Sequence, residues 1–171
     1  RGYDLTFINT NLVGQKMSYL EHCRYRNFAG VVIVCAAYSD PEVLELLNSD
    51  FPTVTIDFVH HNCTAVNSNN VQGMRELLEY IMSMGHRRIA YIHGEDYSVV
   101  TKERIATFYQ VMEEHNLPVD EAYIKEGLYL EPEVAEQRTK ELLQMPQPPT
   151  CILYPDDTAL IGGVNAIREM E

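Results

Sequence analysis

Carboxylates stand at two places in this sequence where a small polar ligand could bind. Asp57 follows the apolar segment 53–56, and the pair Asp156 and Asp157 follows the segment 151–154. If both segments are parallel strands, their carboxyl ends border the crevice in which α/β proteins bind ligands. Ionised carboxylates accept hydrogen bonds from such a ligand. An alternative stays open for Asp157, because aspartate also caps helices and suits the positive end of the helix dipole.

An arginine and a tyrosine could contribute to the same site. Arg104 lies near the start of a predicted helix. A cation is unfavourable at that end of the dipole, so a specific acidic or ligand partner is favoured over an ordinary surface position. Tyr129 follows a short predicted strand. Its ring could pack within the protein or stack on a ligand, and the sequence leaves both alternatives open.

Strand and helix patterns alternate along the whole chain and predict the framework that positions these residues. Short apolar segments predict strands at residues 3–8, 31–34, 53–56, 89–92, near 124 and at 151–154. The segments between them predict helices at residues 15–27, 41–48, 71–82, 101–115 and 132–143, with a final helix after the last strand. This alternation predicts an α/β fold of parallel sheets covered by helices.

The segment MGHRRIAYIHG, residues 84–94, concentrates cationic side chains in an otherwise acidic chain. Gly85 is expected to end the preceding helix, because glycine adopts the left-handed conformation of a C′ position without steric cost. His86, Arg87 and Arg88 then meet the negative end of the helix dipole. The segment therefore predicts a helix-to-strand turn, and its charges need no nucleic acid to explain them.

Composition bounds the classes of protein to which the chain can belong. Its 171 residues are 46% hydrophobic, which is enough for a substantial core in one domain or two small lobes. No apolar segment approaches the roughly 18 residues of a membrane span, and no signal peptide is visible. The net charge of −12 argues against nucleic-acid binding by this chain alone, since that affinity comes from clustered Lys and Arg.

The cysteines favour a reducing compartment. Cys23, Cys35, Cys63 and Cys151 lie far apart in the sequence, and Cys35 and Cys151 stand in apolar segments where a free thiol packs as a small hydrophobic group. We therefore expect reduced thiols and a cytoplasmic protein. The segment HHNC, residues 60–63, could be half of a zinc site, but no second pair has ligand spacing. The sequence predicts neither a metal site nor a cofactor.

Three segments together resemble the lac repressor and galactose repressor family of bacterial transcription regulators. They are NNVQGMRELLEYIMSMGHRRIAYIHG at residues 69–94, TKERIATFYQVMEEHNLP at 101–118 and PPTCILYPDDTALIGGVNAIRE at 148–169. The Gly-His-Arg-Arg-Ile-Ala turn, an arginine followed four residues later by an aromatic residue and the late Asp-Asp pair occur in the family's order. Each motif is weak alone, and together they are specific.

The resemblance implies a periplasmic-binding-protein type I fold with two Rossmann-like lobes, in which parallel sheets are flanked by helices. We expect a partial N-terminal lobe at residues 1–67 and a partial C-terminal lobe at 68–171, so that the fold is incomplete at both ends. A strand at residues 3–8 would then lack its central neighbour. The family's helix-turn-helix DNA-binding domain is expected to be absent from this chain.

The resemblance also assigns roles residue by residue. It makes Asp57 a ligand-contacting acid of the N-terminal lobe, Arg104 the arginine of the C-terminal lobe and Tyr129 a stacking aromatic residue. Asp156 and Asp157 match the family's late Asn-Asp pair. Because aspartate replaces asparagine at the first of these two positions, the expected pocket is more acidic than the family's.

Further positions bear on the class of ligand. Ser98, an expected ligand contact, and Val100 stand where purine-binding relatives carry polar and basic side chains, which argues against a nucleobase. Asn69 and Asn70 replace the family's usual Asp-Asn. A neutral sugar or small glycoside is the expected effector, since carboxylates and an arginine bond hydroxyl groups and an aromatic face covers a sugar ring.

The resemblance thus implies a sugar-sensing domain of a bacterial repressor. A ligand bound between the lobes would set their closure, and through it the spacing of the DNA-binding domains of a homodimer. Operator DNA would be bound only through the absent domain. An extracellular sugar-binding protein of a transport system is the alternative. A sugar-metabolising enzyme is less favoured, because no GxSxG or Walker motif is present.

Overall fold

The computed structural model describes residues 2–8 and 17–170. The chain divides into two compact units, Arg1–Ser68 and Asn69–Glu171. Each unit contains its own three-stranded parallel sheet. The two units are therefore described one after the other.

The first unit is built on a sheet in the order β1-β2-β3. Its elements are α1 (Tyr19–Tyr25), β1 (Val31–Ile33), α2 (Pro41–Leu47), β2 (Thr53–Ile56) and β3 (Thr64–Val66). Both helices bury apolar side chains against the sheet, in a core formed by Leu20, Ile33, Val43, Leu46 and Leu47. The predicted strands at 31–34 and 53–56 and the helix at 41–48 are confirmed within a residue at their ends.

Polar side chains set where the two helices of this unit begin. Ser18 and Glu21 form a capping box at the start of α1, in which each side chain accepts a hydrogen bond from the other residue's backbone N–H. Asp40 caps α2, and Pro41 occupies its first turn, where a missing N–H costs nothing. The predicted helix at 15–27 is shorter in the structure, and its residues 15 and 16 lie outside the described residues.

The predicted strand at residues 3–8 is wrong. These residues form no regular element, and the side chains of Tyr3, Leu5 and Phe7 are 79%, 90% and 97% exposed. Alternating apolar residues form a stable strand only when a neighbouring strand pairs with them and a core covers one face. No described strand pairs with this segment, so the local pattern alone is not enough.

The second unit contains a sheet in the order β5-β4-β6 with helices around it. In chain order its elements are α3 (Asn70–Ser83), β4 (Ile89–His93), α4 (Val99–Glu114), a 3₁₀ turn (Glu121–Tyr123), β5 (Ile124–Glu126), α5 (Pro132–Leu143), β6 (Cys151–Leu153) and α6 (Asp157–Met170). All the helices and strands predicted for this part of the chain are confirmed, with small differences at their ends.

The central strand β4 organises the core of this unit. All five of its residues are buried, as expected of a strand covered on both faces. Because side chains alternate along a strand, Tyr91 faces a cluster that contains Phe108 of α4, whereas Ile92 faces one that contains Leu142 of α5. The loops that follow β4, β5 and β6 emerge at one edge of the sheet, because the three strands are parallel.

The helix-to-strand turn predicted at residues 84–94 is confirmed. Helix α3 ends at Ser83, and Gly85 has a φ of 94°, in the left-handed region. The guanidinium of Arg87 donates to the backbone oxygen of Met82 at 2.8 Å, which satisfies a carbonyl in the last turn of the helix. Arg88 donates to the backbone oxygen of Pro148 at 3.1 Å. These cations therefore have structural partners.

The cysteines and the hydropathy of the helices complete the description. All four cysteines are free thiols. Cys23 is buried and Cys151 packs against the core of the second unit, but the expectation that Cys35 packs as a hydrophobic group is wrong, because it is exposed at a φ of 50°. Within residues 2–8 and 17–170, no helix combines the length and the hydropathy of a membrane span.

Candidate functional site

Three of the polar residues singled out above lie together at the carboxyl edge of the second sheet. Arg104 is on α4, the helix that follows β4; Tyr129 is in the loop after β5; and Asp156 is in the loop after β6. All three side chains are half-buried. Hydrogen bonds connect α4 to each of the two loops, and the two loops to each other. The structure therefore brings the three residues into one cluster.

Arg104 is held by the helix that carries it. Thr101, Arg104 and Phe108 recur at three and four residues and form one stripe of α4, and Thr101 and Phe108 are fully buried. The guanidinium donates from Nε to Oδ1 of Asn70 at 3.0 Å and from Nη1 to the backbone oxygen of Pro155 at 3.2 Å. Arg104 thus has specific partners, as expected, but they are a side-chain amide oxygen and a backbone carbonyl and not a carboxylate.

This arrangement leaves part of the guanidinium available. Arginine has five N–H donors, and Arg104 uses Nε and Nη1 in the two bonds to Asn70 and Pro155. Asn70 in turn donates to Oε2 of Glu103 at 2.9 Å, which fixes the amide that orients the arginine. The remaining donors of Arg104 can bind a polar ligand.

Tyr129 lies in a loop with an unusual backbone. Leu128 and Leu130, on either side of it, have φ values of 61° and 60°. Left-handed leucines are uncommon and cost of order 1 kcal/mol each, and such residues cluster at binding sites. The Tyr129 hydroxyl hydrogen-bonds Thr101 Oγ1 at 3.0 Å, and its ring lies so close to Gly94 that a Cβ there would be 2.1 Å from it.

Asp156 connects this loop to α6. Its Oδ2 accepts from the backbone N–H of Leu130 and its Oδ1 from that of Ala159, each at 2.8 Å. The second bond is an N-cap bond, so Asp156 caps the helix and Asp157 is its first residue. The suggestion that Asp157 is the cap is therefore wrong. A carboxylate has about four acceptor positions, so Asp156 can still bind a ligand.

The other predicted site residues lie in different surroundings. Ser98 caps α4 and accepts from the backbone N–H of Thr101 at 3.4 Å, whereas Asp157 is exposed in the first turn of α6. Asp57, in the first unit, has a φ of 56° and accepts from the backbone N–H and the hydroxyl of Ser68 at 2.6 and 3.3 Å. These bonds hold the carboxyl ends of β2 and β3 together.

Sequence reasoning missed two polar groups in the cluster of the second unit. Thr101 supports Tyr129, and its spacing of three residues from Arg104 was an available signal. Tyr91 carries a buried hydroxyl, which the apolar pattern of β4 concealed. Burial raises the pKa of the Tyr91 phenol well above its ordinary value, Tyr129 raises this pKa further, and the charge of Arg104 lowers it.

Replacement of Gly94 by alanine should displace Tyr129. The new Cβ would meet the tyrosine ring, so the side chain must swing away and lose its bond to Thr101, with a loss of stability of about 0.5–1.5 kcal/mol. Urea denaturation measures this loss. Gly73→Ala is the control: its Cβ meets nothing within 4 Å in helix α3, so it should raise stability by about 0.5–1 kcal/mol. A Gly94→Ala variant as stable as the wild type would contradict this packing.

Comparisons with known proteins agree with this architecture. Residues 78–171 match the family described as the periplasmic binding protein-like domain. The chain is 30% identical over 173 residues to the HTH-type transcriptional repressor PurR of Actinobacillus pleuropneumoniae, an alignment that covers 99% of this chain and 51% of that protein. The chain thus spans about half the length of the relatives it matches.

Solved structures show the same relationship. A regulatory protein of the LacI family from Chloroflexus aggregans superposes with a TM-score of 0.73 at 31% identity, over 89% of this chain and 55% of that one. A putative LacI transcriptional regulator from Bacillus cereus subsp. cytotoxis gives a TM-score of 0.76 at 27% identity, over 88% and 54%. The relatives matched here are transcriptional regulators.

The chain belongs to the periplasmic binding protein-like domain family, and over nearly its whole length it is similar to transcriptional regulators of the LacI family. The resemblance stated from the sequence and the predicted fold class, an α/β protein with parallel sheets flanked by helices, are both confirmed.

Proposed function

We propose that this chain senses a small neutral polyhydroxylated molecule, a sugar or small glycoside, for a bacterial transcriptional repressor. The observation that carries the proposal is the convergence of Arg104, Tyr129 and Asp156 at the carboxyl edge of one parallel sheet. In open α/β sheets this edge is where ligands bind.

The chemistry of the three side chains suits a sugar. Arg104 offers N–H donors in a planar fork, and Asp156 offers acceptor positions beyond those used by Leu130 and Ala159. The ring of Tyr129 can cover the apolar face of a sugar ring. Donors, acceptors and an aromatic face in one cluster match a ligand whose hydroxyl groups both donate and accept.

Three further residues have smaller proposed roles. Ser98 precedes α4, the helix that carries Arg104, and Asp157 is the first residue of α6. Both side chains would bind peripheral hydroxyl groups of the ligand. Asp57 lies in the first unit, where its oxygens bind Ser68, and its role as a ligand contact stays a prediction. Val100, an apolar residue near Ser98, argues against a nucleobase as the ligand.

The proposed mechanism is allosteric. A sugar that binds one conformation of the regulator more tightly than another shifts the population toward that conformation, and DNA affinity changes by the same coupling free energy. We propose that residues 1–67 and 68–171 act as the two lobes, in a cytoplasmic homodimer that binds operator DNA through a helix-turn-helix domain outside this chain. No catalytic step is part of this function.

A thermal-shift screen tests the ligand class. In the full-length protein, a cognate sugar at 100 times its Kd should raise the free energy of unfolding by roughly 2.7 kcal/mol if it binds only the folded state. The panel should contain neutral monosaccharides and glycosides, with nucleobases and amino acids as controls of similar size. Stabilisation by nucleobases or amino acids alone would show that the sugar assignment is wrong.

A further inference from the structure

Tyr91 carries a polar atom that the described part of the chain does not satisfy. The residue is 1% exposed, and its hydroxyl oxygen is buried and has no hydrogen-bond partner among the described residues. Buried hydroxyl groups in folded proteins nearly always have a partner, because leaving one without a partner is unfavourable. A phenylalanine would fill the same space without that cost, so the hydroxyl calls for an explanation.

The surroundings of Tyr91 place it beside the candidate site. Its ring stacks on Phe108 with a centroid distance of 5.6 Å and makes an edge-to-face contact with His93 at a centroid distance of 5.9 Å. Phe108 lies on the α4 stripe that also presents Arg104 and Thr101, about one and two turns nearer the start of the helix. Tyr91 and His93 are thus on the face of the sheet that α4 covers, near the carboxyl end of β4.

Electrostatics lead to the same placement. The pKa of Tyr91 is raised first by burial, then by Tyr129, and it is lowered by the charge of Arg104. Both of these residues are therefore within range of the phenol. The hydroxyl of Tyr129 is already hydrogen-bonded to Thr101, and Arg104 donates to Asn70 and Pro155. Tyr91 is thus a buried polar group of the same cluster that has no partner in it.

We propose that Tyr91 is a specificity-determining contact of the effector, and that its hydroxyl hydrogen-bonds one hydroxyl group of the sugar held by Arg104 and Tyr129. This inference rests on the function proposed above and assigns it a further residue. A phenol both donates and accepts, so either orientation of the sugar hydroxyl satisfies it. A site with a buried hydrogen-bonding group rejects ligands that lack the matching hydroxyl, because the protein group is then left unpaired.

The test is Tyr91→Phe in the full-length protein, which removes one oxygen atom and keeps the ring. The probe is the monosaccharide that stabilises the wild type most in the panel above, together with its monodeoxy analogues. Calorimetric titration should show affinity for the parent sugar lowered by about tenfold, and one monodeoxy analogue should bind the variant and the wild type equally. The melting temperature without ligand should be unchanged or higher, because an unsatisfied hydroxyl has been removed.

Tyr154→Phe is the matched control. Its hydroxyl bonds Thr139 Oγ1 at 2.8 Å, and its ring packs with the cluster of Ala90 and Ile92 on the other face of the sheet. This variant should melt at a lower temperature and bind the sugar with unchanged affinity. Its two results show that the assays separate a structural hydroxyl from a ligand contact.

The outcomes distinguish this inference from the proposed function. If the wild type binds a sugar and Tyr91→Phe binds it equally well, Tyr91 is not a contact and the proposed function stands. A loss of the same size for the parent sugar and for every monodeoxy analogue also rejects a specific hydroxyl contact. If no sugar binds the wild type, both the proposed function and this inference fail.

Discussion

Replacing Phe108 with alanine should lower the free energy of unfolding of the second unit by about 3–5 kcal/mol. Phe108 is fully buried in the cluster that joins α3 and α4 to β4, and its ring stacks on Tyr91. Truncation removes the transfer free energy of the ring and leaves a cavity in a close-packed core. Such a loss is a large part of the 5–15 kcal/mol that stabilises a typical domain. Urea denaturation followed by circular dichroism measures it.

The control for Phe108 is an exposed aromatic residue of the same unit. Tyr80 lies on α3 and is 63% exposed, so Tyr80→Ala should change stability by no more than about 0.5 kcal/mol. Equal, small effects of the two substitutions would show that the cluster is not packed as described. A large effect of Phe108→Ala alone confirms that the Phe108 ring is packed in the core between α4 and β4.

Replacing Arg104 with alanine should weaken effector binding at least about tenfold in the full-length protein. Hydrogen bonds to a charged group are worth roughly 1.5–3 kcal/mol when they are desolvated, and alanine removes every donor of the guanidinium. The variant should also be less stable by about 1–2 kcal/mol, because the bonds to Asn70 and Pro155 are lost. Lysine should restore binding only in part, since it keeps the charge without the planar fork.

Two measurements separate the binding role of Arg104 from its structural role. Titration calorimetry on the folded fraction reports affinity, and melting curves without ligand report stability. Arg87→Ala is the matched arginine control: it loses a bond to the backbone of Met82, so it should reduce stability and leave affinity unchanged. If Arg104→Ala behaves like Arg87→Ala, then Arg104 is only a structural residue and the assignment of the other site residues from the family is weakened.

The second unit could be predicted well because its helices and its central strand are regularly patterned. The apolar stripe of α3 and the continuous apolar run of β4 specify helix and strand without further information. The short strand β3, Thr64–Val66, was missed because it has three residues and only its middle one is half-buried. Its strand character comes from pairing with β2, which a local pattern does not reveal.

Residues 3–8 show the opposite error. Their alternating apolar residues have strand propensity, yet Leu5 and Phe7 are almost fully exposed. Propensity in a strand measures fit to a neighbouring surface and not an intrinsic preference of the backbone. Where that surface is missing among the described residues, the prediction fails.

In the candidate site, residue types alone do not predict which hydrogen bonds each side chain forms. Asp156 and Asp157 are adjacent acids at the start of one helix, and residue type does not decide which of them is the cap. Asp156 is the cap, and it also holds Leu130, a contact across 26 residues. The apolar pattern of β4 does not distinguish Tyr91, because the surroundings of its hydroxyl depend on residues from α4 and from the loop after β5.

The bond from the Leu130 backbone to Asp156 has a consequence for the speed and the strength of recognition. Hydrogen bonds within the protein hold the loop that carries Tyr129 to the start of α6, and hold the side chain of Tyr129 to α4. A loop ordered in advance loses little conformational entropy when a ligand arrives, so more of the contact energy appears as affinity. Its encounter with the ligand also needs no slow rearrangement of this segment, which favours rapid association.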